Sequence, residues 1–226
     1  MGMDNSAILG ARQQIRDIPL ENIASLAKKA FNKDGDIIPL WFGEGDVTTP
    51  DFICEAVSEA MKAGHVFYSH QNGIPELRQT LSDYLSGLNE KSVDSSRITV
   101  TSGGMSAIQL AVQLTVNPGD NIIVIDPVWP NITGITKMLG GEVRSVRMDL
   151  TDQGWMLDVG KVDAACDGRT RAIFFASPGN PTGAMLPVLV QKQLLDLSRK
   201  RGIWIISDEV YSRMAFGRKV VSSFLD

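Results

Sequence analysis

Hydrophobic and polar positions give the chain two textures. Up to about residue 96 apolar residues recur with helical spacing; from Arg97 on, short apolar runs alternate with amphipathic stretches. The second texture predicts strands and helices in turn, and so a mostly parallel sheet. In the first part, Ile23, Leu26, Ala27, Ala30 and Phe31 share one face of a helix over residues 20–31. Residues 36–42 read as a short strand, which Pro39 marks as an edge or irregular piece. A glycine-paired turn follows, Gly43-Glu44-Gly45-Asp46. Thr49 as N-cap and Pro50 as first helical residue then open a helix to Lys62, stopped at Gly64. Residues 68–73 form a polar loop. A helix opening near Pro75 turns Leu77, Leu81, Tyr84 and Leu85 inward and ends near Gly87.

In the second part, strands are expected at residues 98–101, 121–125, 142–148 and 172–176, and in the run Ile203-Trp204-Ile205-Ile206-Ser207 that ends on Asp208. Helices are expected from Gly104 to about 116, from about 130 to the stop at Gly140-Gly141, and over 158–166 and 187–201. No repeat or linker-like tract interrupts the pattern.

Composition narrows the function classes. A net charge of -4 over 226 residues, with no Lys/Arg block, gives no footprint for nucleic acid. No apolar run reaches membrane-spanning length and the N-terminus lacks the form of a signal peptide, so a cytoplasmic protein is expected. Cys54 and Cys166 are then expected as buried, reduced thiols. His65 and His70 have no third ligand at metal spacing, and no metal is expected.

The candidate chemistry lies where strands end, since ligands of open α/β sheets collect outside the carboxyl ends of the strands. Ser102-Gly103-Gly104-Met105 opens a helix, where free N–H groups and the helix dipole suit a phosphate; a bare tight turn is the other reading. Trp129 follows Asp126-Pro127-Val128, placed either for edge packing or for stacking on a flat aromatic ligand. In Ser177-Pro178-Gly179-Asn180-Pro181-Thr182-Gly183, prolines and glycines fix the backbone around one amide, Asn180. Asp208 ends an apolar strand as a buried carboxylate that needs a partner: a lysine, a backbone amide or a ligand cation. Tyr211 is positioned to donate to the same ligand or to pack in the core. Together, a phosphate nest, a stacking ring, a fixed amide and a carboxylate describe a pocket for a phosphorylated, aromatic, cationic heterocycle. Pyridoxal 5'-phosphate fits each part, the carboxylate keeping its ring nitrogen protonated.

At these residues the chain resembles the class I/II aminotransferases, fold-type I pyridoxal-phosphate enzymes related to aspartate aminotransferase. The segments that carry the resemblance are LWFGEGDVTTP, YSHQNGIPELRQTL, VTSGGMSAIQLA, NPGDNIIVIDPVWPN, ASPGNPTG and ISDEVYSRM, in family order. It implies a three-layer α/β/α large domain from residue 49 to 226, incomplete here, preceded by an N-terminal arm and small-domain segment, residues 1–48. It implies that Gly103, Gly104 and Met105 hold the phosphate through backbone amides and that Trp129 stacks on the pyridine ring. Asn180 and Tyr211 would hydrogen-bond the phenolic oxygen, and Asp208 would pair with the ring nitrogen. Tyr68 would reach the phosphate of the neighbouring subunit in a homodimer. Gly45, with Asn180 and Trp129, would lie near the substrate. The implied activity is transfer of an amino group between an L-amino acid and a 2-oxo acid by a ping-pong mechanism. A carbon–sulfur lyase on the same fold, or a non-catalytic truncated remnant that binds cofactor or a partner subunit, are the alternatives.

The sequence departs from the family pattern at its end. It stops at Asp226, before the family's Ser-x-x-Lys segment with the Schiff-base lysine and before the later arginines, so no catalytic residue is expected within these residues. The resemblance also implies two mid-sheet strands beyond residue 226, inserted between strands 98–101 and 172–176, whose lack would leave exposed edges.

Overall fold

The structure, a computed structural model, describes residues 23–32, 38, 43 and 45–225. All of the strand expected over residues 36–42 except Ile38, and the first residues of the helix expected over 20–31, lie outside them. Among the described residues, contacts group 23–70 in one unit and 71–225 in another.

Among the described residues the first unit contains two helices, α1 (Ile23–Phe31) and α2 (Asp51–Lys62). Ala27 is buried on α1, while Leu26 and Phe31 on the same expected face are exposed. Helix α2 begins one residue later than expected. Pro50 takes the flanking position, and Thr49 makes no cap hydrogen bond. Beyond Lys62 the chain turns at Gly64, whose φ of +81° only glycine adopts readily. No residue of α2 is buried, and Cys54, expected inside, is exposed.

The second unit opens with α3 (Pro75–Asn89), which takes Pro75 at its first turn, where a missing N–H is harmless. It runs through Gly87 and ends at Glu90, in the left-handed conformation. Its inward residues are Ser82 and Leu88; Leu77 and Tyr84, expected inward, are exposed. A short 3-10 turn (Ser95–Arg97) follows. Residues 98–101, expected as a strand, pair with no other strand. The Ile98 carbonyl is taken by Arg78 Nε at 2.9 Å, and the Val100 N–H donates to the Asn72 carbonyl at 3.0 Å. A strand needs a ladder partner, and these groups are spent on loop contacts instead.

The remaining elements alternate. They are α4 (Gly104–Thr115), β1 (Asn121–Asp126), α5 (Asn131–Met138), β2 (Glu142–Arg147), β3 (Asp149–Thr151), β4 (Gly154–Met156), α6 (Val159–Ala165), β5 (Thr170–Ala176), α7 (Val188–Arg201) and β6 (Trp204–Asp208). Four parallel strands form the sheet in the order β2-β1-β5-β6. Strand β5 thus has a neighbour on each side. The edge strands are β2 and β6, and Trp204 on β6 is 65% exposed. The small antiparallel hairpin β3–β4 was not anticipated.

Alternation along the strands builds two cores. Ile123, Ile125, Ile173 and Phe175 face Val162 of α6 and Leu194 and Leu197 of α7. Ile122, Val124, Ala172 and Phe174 face Ile108 and Val112 of α4 and Ile132 and Ile135 of α5. Helices on both sides explain why β1 reads as a continuous apolar run, and the expected three-layer α/β/α class is borne out. At the foot of the sheet the buried Asn121 joins β1 to β5. Its amide donates to Asp167 Oδ1 at 2.8 Å, and the Thr170 hydroxyl donates to its Oδ1 at 2.7 Å. Arg144 pairs with the other Asp167 oxygen at 2.8 Å.

Candidate cofactor site at the strand ends

Because the strands are parallel, their carboxyl ends emerge on one edge, and the loops that follow are neighbours in the order β2, β1, β5, β6. Ala176 of β5 lies beside Asp208 of β6 in the register. The Ser177 N–H then donates to the Asp208 carbonyl at 3.0 Å, fixing the two loop origins against each other.

The loop after β5 is bonded to itself. Gly179 N–H donates to the Ala184 carbonyl at 2.9 Å and Gly183 N–H to the Gly179 carbonyl at 2.7 Å. The Ser177 hydroxyl accepts the Leu186 N–H at 3.1 Å. Gly183 has a φ of +65°, which glycine adopts readily, and a side chain at Gly179 would come within 2.9 Å of the Thr182 hydroxyl. The peptide bonds before Pro178 and Pro181 are cis. This closed loop holds Asn180 half-buried, with its amide Nδ2 3.5 Å from the Tyr211 hydroxyl. Two polar groups from different loops therefore converge beside Asp208.

Asp208 is half-buried rather than buried. Its Oδ1 accepts the Val210 N–H at 3.1 Å, so its partner in the chain is a backbone amide; among the described residues no lysine or arginine pairs with it. A strand end is less enclosed than a strand middle, which the apolar run before Asp208 does not convey.

Helix α4 supplies the next group. Its N-terminal turn has no side-chain cap, Gly103 is in extended conformation, and a Cβ at Gly103 or Gly104 would meet nothing within 4 Å. The first N–H groups of a helix have no internal acceptor, so this turn offers open donors to an anion. Met105 and Ile206 of β6 pack against the same core cluster, which brings that turn next to β6. Trp129 is half-buried after β1, at the entry to α5. Gly45 and Tyr68 belong to the first unit, and Tyr68 is fully exposed.

A cleft of about 390 Å³ adjoins the gathering, lined by Asp126, Pro127, Val128, Ser145, Arg147 and Pro181. Burial pushes the Asp126 carboxyl above its usual range, opposed by the Arg147 guanidinium. Asp126 was not singled out in the sequence. The pattern that marked Asp208, an apolar run closed by a carboxylate, is present there too, in NIIVID. Among the described residues no cluster of His, Cys, Asp or Glu could hold a metal ion, and no helix is long and apolar enough to cross a membrane.

A parallel α/β sheet here carries an uncapped helix terminus, a fixed amide and a carboxylate along one edge, the place where ligands of open α/β proteins collect. Residues 36–225 match the family described as aminotransferase class I and II, and the chain belongs to that family. It is 32% identical over 196 residues to a probable aspartate aminotransferase of Methanocaldococcus jannaschii, covering 86% of this chain and 52% of that protein. It is 34% identical over 181 residues to an aspartate/prephenate aminotransferase of Thermus thermophilus, covering 80% and 47%. The solved aspartate aminotransferase of Thermus thermophilus with maleate superposes with a TM-score of 0.85 at 31% identity, over 94% of this chain and 56% of that one. The chain thus spans about half the length of the curated relatives it matches.

Proposed function

We propose that these residues form the pyridoxal 5'-phosphate-binding part of an aminotransferase. The whole protein would move an amino group between an L-amino acid and a 2-oxo acid by a ping-pong route. The observation that carries this is the convergence of the Asn180 amide and the Tyr211 hydroxyl, 3.5 Å apart, in the loops that follow β5 and β6, the strand that ends on Asp208. Two donors beside an acceptor suit a ring with an anionic phenolic oxygen and a protonated nitrogen.

In this proposal the amides of Gly103, Gly104 and Met105 hold the phosphate at the positive end of α4, and Trp129 lies against the ring. Asn180 and Tyr211 donate to the phenolic oxygen. Asp208 keeps the ring nitrogen protonated, and the bound cofactor then acts as an electron sink. Asn180, Trp129 and Gly45 border the substrate, Tyr68 reaches the phosphate held by a second subunit of a homodimer, and the location is cytoplasmic. The division into an arm of residues 1–48 and a large-domain portion from residue 49 belongs to the same proposal.

The test is a titration of the chain with pyridoxal 5'-phosphate, followed by cofactor absorbance and tryptophan fluorescence. Asp208→Ala removes a charge-assisted hydrogen bond and should weaken binding by about 10- to 100-fold. Unchanged affinity in that variant overturns the assignment.

A further inference from the structure

Asp208 and Tyr211 are separated by only Glu209 and Val210, and their mutual placement depends on how that short turn is held. Asp208 contributes one bond to it, from the Val210 N–H. Glu209 does more. It is half-buried, and its Oε1 accepts the Ser207 hydroxyl at 3.0 Å and the Phe224 N–H at 3.2 Å. Its backbone carbonyl accepts the Ser212 N–H at 2.9 Å.

The segment that Glu209 reaches is anchored independently. Val221 and Ser223 are buried, and the Gln191 side chain of α7 donates to the Ser222 carbonyl at 3.3 Å. The Phe224 ring lies 5.1 Å from that of Phe175, a core residue of β5. The Val221 N–H returns to the turn, donating to the Ser212 carbonyl at 3.0 Å. One carboxylate oxygen therefore joins the last part of β6 to a stretch of chain fixed in the core, and does so between the two residues assigned to the cofactor.

We propose that Glu209 is a positioning residue. Its carboxylate clamps the Asp208–Tyr211 turn to residues 221–224 and so sets the separation and direction of the Asp208 carboxylate and the Tyr211 hydroxyl. The proposal rests on the cofactor assignment of those two residues, whereas the clamp is a property of the chain itself. What the clamp requires is an acceptor for two donors at this place. Glutamine retains a carbonyl oxygen at the same reach; alanine retains nothing.

The experiment compares the chain with Glu209→Ala, Glu209→Gln and Asp208→Ala. Two quantities are read: hydrogen exchange at the Phe224 and Ser212 amides by mass spectrometry, and the Kd for pyridoxal 5'-phosphate. With Glu209→Ala, exchange at Phe224 should rise about tenfold, as a local opening loses a hydrogen bond. The Kd should rise about fivefold or more, while far-UV circular dichroism stays unchanged. Glu209→Gln should restore both quantities to within about twofold of the unaltered chain. Unchanged exchange in Glu209→Ala overturns the clamp. Faster exchange with unchanged Kd reduces it to a structural bond and overturns the positioning role, as does a Glu209→Gln chain as impaired as Glu209→Ala. Full cofactor affinity in Asp208→Ala sinks the cofactor assignment instead, and the exchange data still judge the clamp.

Discussion

Leu194 offers the sharpest test of how the sheet is held. It lies on α7, the helix that connects the Asn180 loop to β6, and is fully buried among Ile123, Ile173, Val162, Leu197 and Ile203. Replacing it by alanine removes three carbons from the core, worth about 2.4 kcal/mol of transfer energy at ~0.8 kcal/mol per methylene. If about half of the vacated space persists, some 40 Å³ at ~24 cal/mol per Å³ adds about 1 kcal/mol. Alanine's slightly better helix propensity returns only a few tenths of that. The expected loss is about 3 kcal/mol, a large share of the ~5–15 kcal/mol that ordinary domains possess. Leu189, on the same helix but 68% exposed, is the control, and Leu189→Ala should change stability by less than about 0.5 kcal/mol. Urea unfolding monitored by far-UV circular dichroism measures both. A Leu194→Ala loss under about 1 kcal/mol, or one equal to the Leu189→Ala loss, would refute the packing described for α7.

Three further outcomes are expected. Gly73 combines a φ of +100° with a Cβ direction only 2.7 Å from Val100 Cγ2, so Gly73→Ala should cost about 2–4 kcal/mol in thermal unfolding, and Val100→Ala should recover part of it. The Asp167 carboxyl is held well below its usual range by the Asn121 side chain first, then by the Arg169 amide and Arg144. A lowered folded-state pKa contributes stability that is complete above the unfolded value, near 4, and is lost as pH falls through the folded one. Asp163, held down by Arg201, acts in the same direction, whereas Asp126, raised by burial, acts oppositely. Denaturant midpoints should therefore fall below about pH 4, and Asp167→Asn should flatten that fall. A thiol reagent should label the exposed Cys54 well before Cys166, which is half-buried and whose thiol burial pushes up; equal rates would contradict the burial assigned to Cys166.

The sheet was legible because strands covered on both faces are apolar throughout: NIIVID and TRAIFFA need no alternation to be found. Residues 98–101 were misread for the same reason, since apolar character does not provide a ladder partner. The hairpin β3–β4 escaped notice because its strands have three residues each and no apolar stripe. Pattern also places Asn180 and Asp208 at loop origins, but not 3.5 Å contacts or half-burial, which depend on strand order. Glu209 was passed over because a glutamate after an aspartate carries no spacing signal; only the fold shows that it meets Phe224.

The polar join at the foot of β1 and β5 has a consequence in time. Asn121 and Thr170 are 49 residues apart in the chain, so at ~5–20 residues per second on a ribosome β1 precedes its β5 partner by about 3–10 s. During that interval only β2 is available to cover an edge of β1, and Ile122–Ile125 wait with one flank open. A nascent chain halted before residue 170 is therefore expected to leave that flank of β1 exposed. Synthesis past Phe174, which completes the partners of Ile122–Val124, should close that window.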